Sequence, residues 1–123
     1  MKYLGVDFGL KRVGLAQSEG QLASPWKVIE GWGMRDLLEK VRREANGFEK
    51  VVIGVPEGRM GRLVKKAAKL LRAGGLQVIE VDETLSTKKA TVRMVELNIP
   101  PKKRRYNDAY SAALILQNHL DNL

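Results

Sequence analysis

Cysteine is absent from the chain, so disulfides and thiolate metal sites are excluded, which fits a reducing compartment. Long apolar runs are missing as well. None approaches the ~20 residues that a membrane-spanning helix needs. Near the start, Asp7 and Lys11-Arg12 interrupt the apolar stretch, so no signal peptide is expected either. A soluble, cytoplasmic protein without a membrane partner is the expectation. Histidine occurs once, as His119, and reads as a surface or helix-end residue. Acidic side chains are in short supply. Fourteen Asp and Glu stand against twenty-two Lys and Arg, a formal charge of +8 that favours an anionic partner, nucleic acid first. What is present is a length of 123 residues, 44% of them hydrophobic. That suffices for one core, and a single domain over residues 1–123 is expected.

Within this basic chain one acid stands out. Tyr3-Leu4-Gly5-Val6-Asp7-Phe8 reads as a buried strand, and Asp7 sits inside it. An isolated buried charge costs several kcal/mol unless it is compensated. Such a carboxylate accepts hydrogen bonds from the turn at Gly9, meets another charged group, or holds a metal ion.

The remaining pattern places possible partners. Arg12 to Ser18 reads as a second strand, and Ala23 to Trp32 as a third, with Pro25 pointing to an edge position. These three form an antiparallel meander. Leu37, Leu38, Val41 and Ala45 recur at helical spacing, and Asn46-Gly47 supplies a stop. Lys50 to Val55 is a short buried strand ended by Pro56. Leu63, Val64, Ala67, Leu70 and Leu71 form the stripe of a second helix ended by Gly74-Gly75, and Gln77 to Asp82 is a fifth strand. Ser86 caps a third helix carrying Ala90, Met94, Val95 and Leu97, which Pro100-Pro101 stops. A last helix starts near Tyr106, with Ala109, Ala112, Ala113, Leu116 and Leu120 on one face. The fold class is α/β: a mixed five-stranded sheet, an antiparallel meander followed by parallel strands, with flanking helices and the first strand central.

Asp82 and Glu83 close the fifth strand and point to opposite faces, so one of them can face Asp7. Periodicity does not decide which. Asp108 lies in the first turn of the last helix, where an acid also complements the helix dipole. Its small neighbours Ala109, Ala112 and Ala113 let that helix approach the sheet. Three converging carboxylates suit hard cations, Mg²⁺ or Mn²⁺. Two such ions in one site activate water and stabilise the leaving oxygen in phosphodiester hydrolysis.

Taken together, five segments resemble the YqgF family, also called RuvX or Holliday-junction-resolvase-like proteins, in the ribonuclease H-like superfamily. They are Gly5-Val6-Asp7-Phe8-Gly9-Leu10-Lys11-Arg12-Val13-Gly14-Leu15-Ala16, Ala23-Ser24-Pro25, Val52-Ile53-Gly54-Val55-Pro56, Asp82-Glu83-Thr84-Leu85-Ser86-Thr87, and the stretch from Asn107 to Gln117. The resemblance implies a ribonuclease H-like nuclease in which Asp7, Glu83 and Asp108 hold the metal. It thereby selects Glu83 over Asp82. It further implies processing of the 5′ end of precursor 16S ribosomal RNA in ribosome biogenesis, with cleavage of four-way DNA junctions as the alternative. Three departures from the family pattern stand out: Thr84 where arginine is usual, a short segment from Glu57 to Gly61, and Tyr110-Ser111 in place of apolar residues.

The basic residues fall into groups that suit a phosphate backbone. Lys11 and Arg12 follow Asp7 through the glycine turn, Arg59 and Arg62 flank a second loop, and Lys102-Lys103-Arg104-Arg105 precedes Asp108 directly. Tyr106 is placed to stack on a base. Lys65, Lys66, Lys69 and Arg72 read as the solvated side of a helix. Two other readings compete with a nuclease. One is a non-catalytic RNA-binding assembly factor. The other is an actin-like phosphotransferase, which needs two such domains and so more residues than this chain has.

Overall fold

The computed structural model describes residues 2–83 and 107–123. Its elements are β1 (Tyr3–Phe8), β2 (Arg12–Glu19), β3 (Leu22–Glu30), α1 (Met34–Glu44), β4 (Lys50–Val55), α2 (Gly58–Ala73), β5 (Val78–Asp82) and α3 (Asn107–Asp121). The helix expected around Ser86 to Leu97 lies outside the described residues, as do Thr84 and the Lys102 to Arg105 cluster.

The sheet runs β3-β2-β1-β4-β5. β1 pairs antiparallel with β2 and parallel with β4, and β5 pairs parallel with β4. The expected mixed sheet with β1 at its centre is therefore the observed one. Pro25 does lie on an edge strand, the place in a sheet that tolerates a missing N–H. Beside it the register shifts, so that Trp26 is an extra residue between the pairs Ala16–Pro25 and Leu15–Lys27. Trp26 packs against Phe48, with ring centroids 5.7 Å apart.

Strand alternation divides the side chains between two faces. On one face Leu4, Val6, Phe8, Val13, Leu15, Val51 and Ile53 pack beneath α1 and α2, which contribute Leu37, Val41, Val64, Ala67, Ala68 and Leu71. The stripe of α2 is narrower than its leucines suggest. Leu63 and Leu70 are 38% and 46% exposed, and Ala68 is buried in their stead.

The other face is built from small residues. Ala16, Ala23 and Val52 meet Ala112, Ala113, Ile115 and Leu116 of α3. Two glycines set how close the helix comes. A Cβ on Gly5 would stand 2.7 Å from the Ala112 carbonyl oxygen, and one on Gly14 would overlap the backbone of Asp108. At the opposite end of α3, buried Gln117 clamps the β2–β3 turn. Its Oε1 accepts from the Ala23 N–H at 2.9 Å, and its Nε2 donates to the Gln21 carbonyl at 2.9 Å. The helix is thus held along its length, and its first turn is pressed onto β2.

Candidate active site

Asp7 is the next-to-last residue of β1 and pairs across the ladder with Gly14. Its side chain points to the α3 side, as Gly5 does. The glycine opposite lets the start of α3 sit directly on β2, so Asp108, in the first turn, comes to the end of β1. The third acid, Glu83, lies just past the end of β5, and its charge and hydrogen bond act on Asp7. Val78 faces the core under α2, whereas Ile79 and Val81 pack with the α3 face. Glu83 follows Val81 by two residues. Asp82 belongs to the other side, in a cleft with Glu57, Arg62, Lys65 and Glu80.

The electrostatics of Asp7 register this meeting. Its carboxyl is raised from 3.8 to about 7. Burial is the first cause, followed by the negative charge of Glu83, that of Asp108, and a hydrogen bond with Glu83. Two carboxyl groups share a hydrogen bond only when one carries the proton. Asp108 has a cationic neighbour, with Arg12 Nε 3.2 Å from its Oδ2. Arg12 opens β2 immediately after the turn in which the Gly9 N–H donates to the Arg12 carbonyl at 2.9 Å.

Among the described residues, no group of three or more His, Cys, Asp or Glu forms a ready-made metal cage. The donor chemistry nevertheless fits a hard cation. All three groups offer oxygen, Asp7 is half-buried, and the proton between Asp7 and Glu83 stands where positive charge is favoured.

The basic residues are dispersed differently. Lys11 and Arg12 are exposed beside the acids. Arg59 is exposed in the first turn of α2, and Arg62 lines the Asp82 cleft on the opposite face of the sheet. Two residues went unremarked in the sequence or were read differently there. Gly14 seats α3 against Asp7, and its only signal was a second glycine on the strand after the hairpin. His119 does lie at the helix end, in the last turn of α3, but it is half-buried rather than on the surface. It packs on Tyr3 with ring centroids 6.0 Å apart, and burial, then Lys50, holds its imidazole below the usual range.

Residues 1–122 match the family model described as RuvX: Holliday junction resolvase. The chain belongs to the RuvX family. A curated relative from Syntrophus aciditrophicus is 35% identical over 98% of this chain and 89% of its own length. One from Maridesulfovibrio salexigens is 37% identical over 98% of each. One from Tropheryma whipplei is 34% identical over 97% of this chain and 86% of its own. Each of the three is named "Putative pre-16S rRNA nuclease". Among solved structures, T. thermophilus RuvC in complex with a Holliday junction superposes with a TM-score of 0.68 at 14% identity, over 99% of this chain and 94% of that one. The Fowlpox virus resolvase with Holliday junction DNA gives 0.65 at 12% identity, over 99% and 98%. At those identities the likeness establishes the fold: this RuvX chain has the ribonuclease H-like architecture of the resolvases. No helix among the described residues is long and apolar enough to cross a membrane.

Proposed function

We propose that this chain is a metal-dependent endonuclease that hydrolyses phosphodiester bonds in structured nucleic acid, and that its substrate is the 5′ end of precursor 16S ribosomal RNA. One observation carries the reading. Carboxylates from β1, from the end of β5 and from the first turn of α3 act on one another at one end of the sheet, beside an exposed Lys11-Arg12 turn in a chain of charge +8. The names of the curated relatives support the choice of RNA. A cytoplasmic location follows from that substrate, and the whole chain acts as one nuclease domain.

Asp7, Glu83 and Asp108 would hold Mg²⁺ or Mn²⁺, two ions in one site. When bound, such ions supply an activated water and charge stabilisation at the leaving oxygen. The chain's own residues do the rest. Asp7, whose carboxyl is raised by burial and its acidic neighbours, gives up its proton and enters the site charged. Arg12 exchanges Asp108 for a substrate phosphate, which keeps the local charge balanced. Lys11, together with Lys102, Lys103, Arg104 and Arg105, adds backbone attraction without reading sequence. Arg59 and Arg62 extend that attraction along the edge of α2.

Cleavage of four-way DNA junctions is the second reading, favoured by the fold shared with junction-bound resolvases. Purified protein with Mn²⁺ should be offered precursor RNA and four-way DNA junctions, beside Asp7→Asn. Cutting of the RNA is expected. Asp7→Asn should lower it by at least about 100-fold, the upper end of what loss of a merely supporting partner costs a metal site. Cleavage that survives the substitution would remove Asp7 from the chemistry. Binding without cutting at every metal concentration would favour an assembly factor.

A further inference from the structure

Trp32 is 97% exposed, and Leu10, 65% exposed, lines the same cleft of about 680 Å³. Lys11 and Arg12 line it too, and Glu30 contributes the one acid among its lining residues. Scattered surface apolar residues need no explanation, but this pair is held in place. The Gly31 N–H donates to the Lys11 carbonyl at 3.2 Å and ties the two loops together. The Trp32 N–H donates to Asp36 Oδ2 at 2.9 Å, and Lys40 Nζ stands 3.2 Å from that same oxygen. Gly33 follows at φ 103°, a conformation that side chains other than glycine disfavour. The backbone that displays the indole is therefore fixed while its ring lies in solvent. Arg12 joins this cleft to the candidate active site, because it lines the first and reaches Asp108 in the second.

We propose that Trp32, with Leu10 beside it, is a stacking platform for an unpaired nucleobase next to the cleavage site, with Lys11 and Arg12 on the adjoining phosphates. The proposal rests on the nuclease reading and gives it a substrate feature: a single-stranded flank beside the paired region. An aromatic face next to cations is what sequence-tolerant single-strand binding requires. A second copy of this chain suits the surface less well, since it would set Lys11 and Arg12 of two molecules with charge +8 against each other.

The test reads binding in metal-free buffer, so that it stands apart from cutting. A hairpin with a short unpaired extension is compared with the same hairpin trimmed flush, in RNA and in DNA. Wild-type protein should prefer the extended form by about tenfold, the scale of one stacked base. Trp32→Ala should bring that ratio close to one, and Trp32→Phe should restore most of it. Trp26→Phe leaves Trp32 as the sole tryptophan, and its emission should be quenched by the extended hairpin but little by the flush one. An unchanged ratio in Trp32→Ala, or equal quenching by both hairpins, overturns the proposal. So does a dimer that Trp32→Ala converts to a monomer in sedimentation, because the surface would then belong to a second copy. If stacking is found and no cutting with Mn²⁺, the nuclease reading fails alone. If Mn²⁺ supports cutting and Trp32→Ala binds as wild type, the platform fails alone.

Discussion

The two faces of the sheet are packed for different ends. Between the sheet and α1 and α2 lie large aliphatic side chains, among them Leu4, Leu15 and Ile53 of the strands and Leu37 and Leu71 of the helices, all fully buried. Beneath α3 lie Gly5, Gly14, Ala16 and Ala23, matched by Ala109, Ala112 and Ala113. The first face gains stability from buried area. The second gives up area for proximity. By letting backbone approach backbone, it brings a carboxylate from α3 to one in β1. A single sheet thus keeps its foundation on one side and its gathered carboxylates on the other.

That contrast is open to direct attack. Leu71→Ala, on the foundation side, should cost about 2–5 kcal/mol in denaturant unfolding. The nuclease rate per folded molecule should stay near that of wild type. Gly5→Ala, on the close-approach side, adds one methyl and should cost about 1–3 kcal/mol through overpacking. Unlike Leu71→Ala, it should lower the rate of those molecules that fold, because α3 carries Asp108. Equal effects of the two on rate would erase the distinction.

A pH titration sharpens it further. Asp7 has an ordinary value of 3.8 when unfolded and about 7 when folded, so the folded protein binds the proton more tightly. Folding is therefore favoured where Asp7 is protonated. Without metal, its contribution is complete below 3.8 and is lost as pH rises toward and through 7. Melting temperatures in metal-free buffer should fall across that window, the slope should flatten in Asp7→Asn, and Mg²⁺ or Mn²⁺ should recover stability above pH 7. A wild-type slope matched by Asp7→Asn would assign the dependence to other groups. The smallest effect belongs to the exposed rim, where Arg72 Nη1 meets Glu80 Oε2 at 2.9 Å. Glu80→Gln should cost less than about 1 kcal/mol and leave cutting of RNA as it was.

Much of this was legible in the residues. Apolar runs marked β1 and β4, Pro25 marked the edge, and helical spacing marked α1 and the face of α3 that is buried. The choice between Asp82 and Glu83 was not legible without a family resemblance. It depends on which face Val78 takes against β4, and that register is set by how α2 returns the chain, not by any local pattern. Leu63 and Leu70 misled for a related reason. A helix over the outer strands of a sheet buries a narrow stripe, and flanking leucines stay in water. Arg12 was read as a phosphate contact, and a sequence holds no sign that it meets Asp108 first. Trp32 was read as the last residue of the third strand, but β3 ends at Glu30 and the indole stands in solvent beyond it.

The clamp at Gln117 joins residues 94 and 96 positions apart. Contacts of such separation carry the entropy of closing a long loop. A polypeptide that has built its sheet but not yet seated α3 holds Asp7 without Asp108. On the proposed mechanism, a chain in that state is inert toward phosphodiesters.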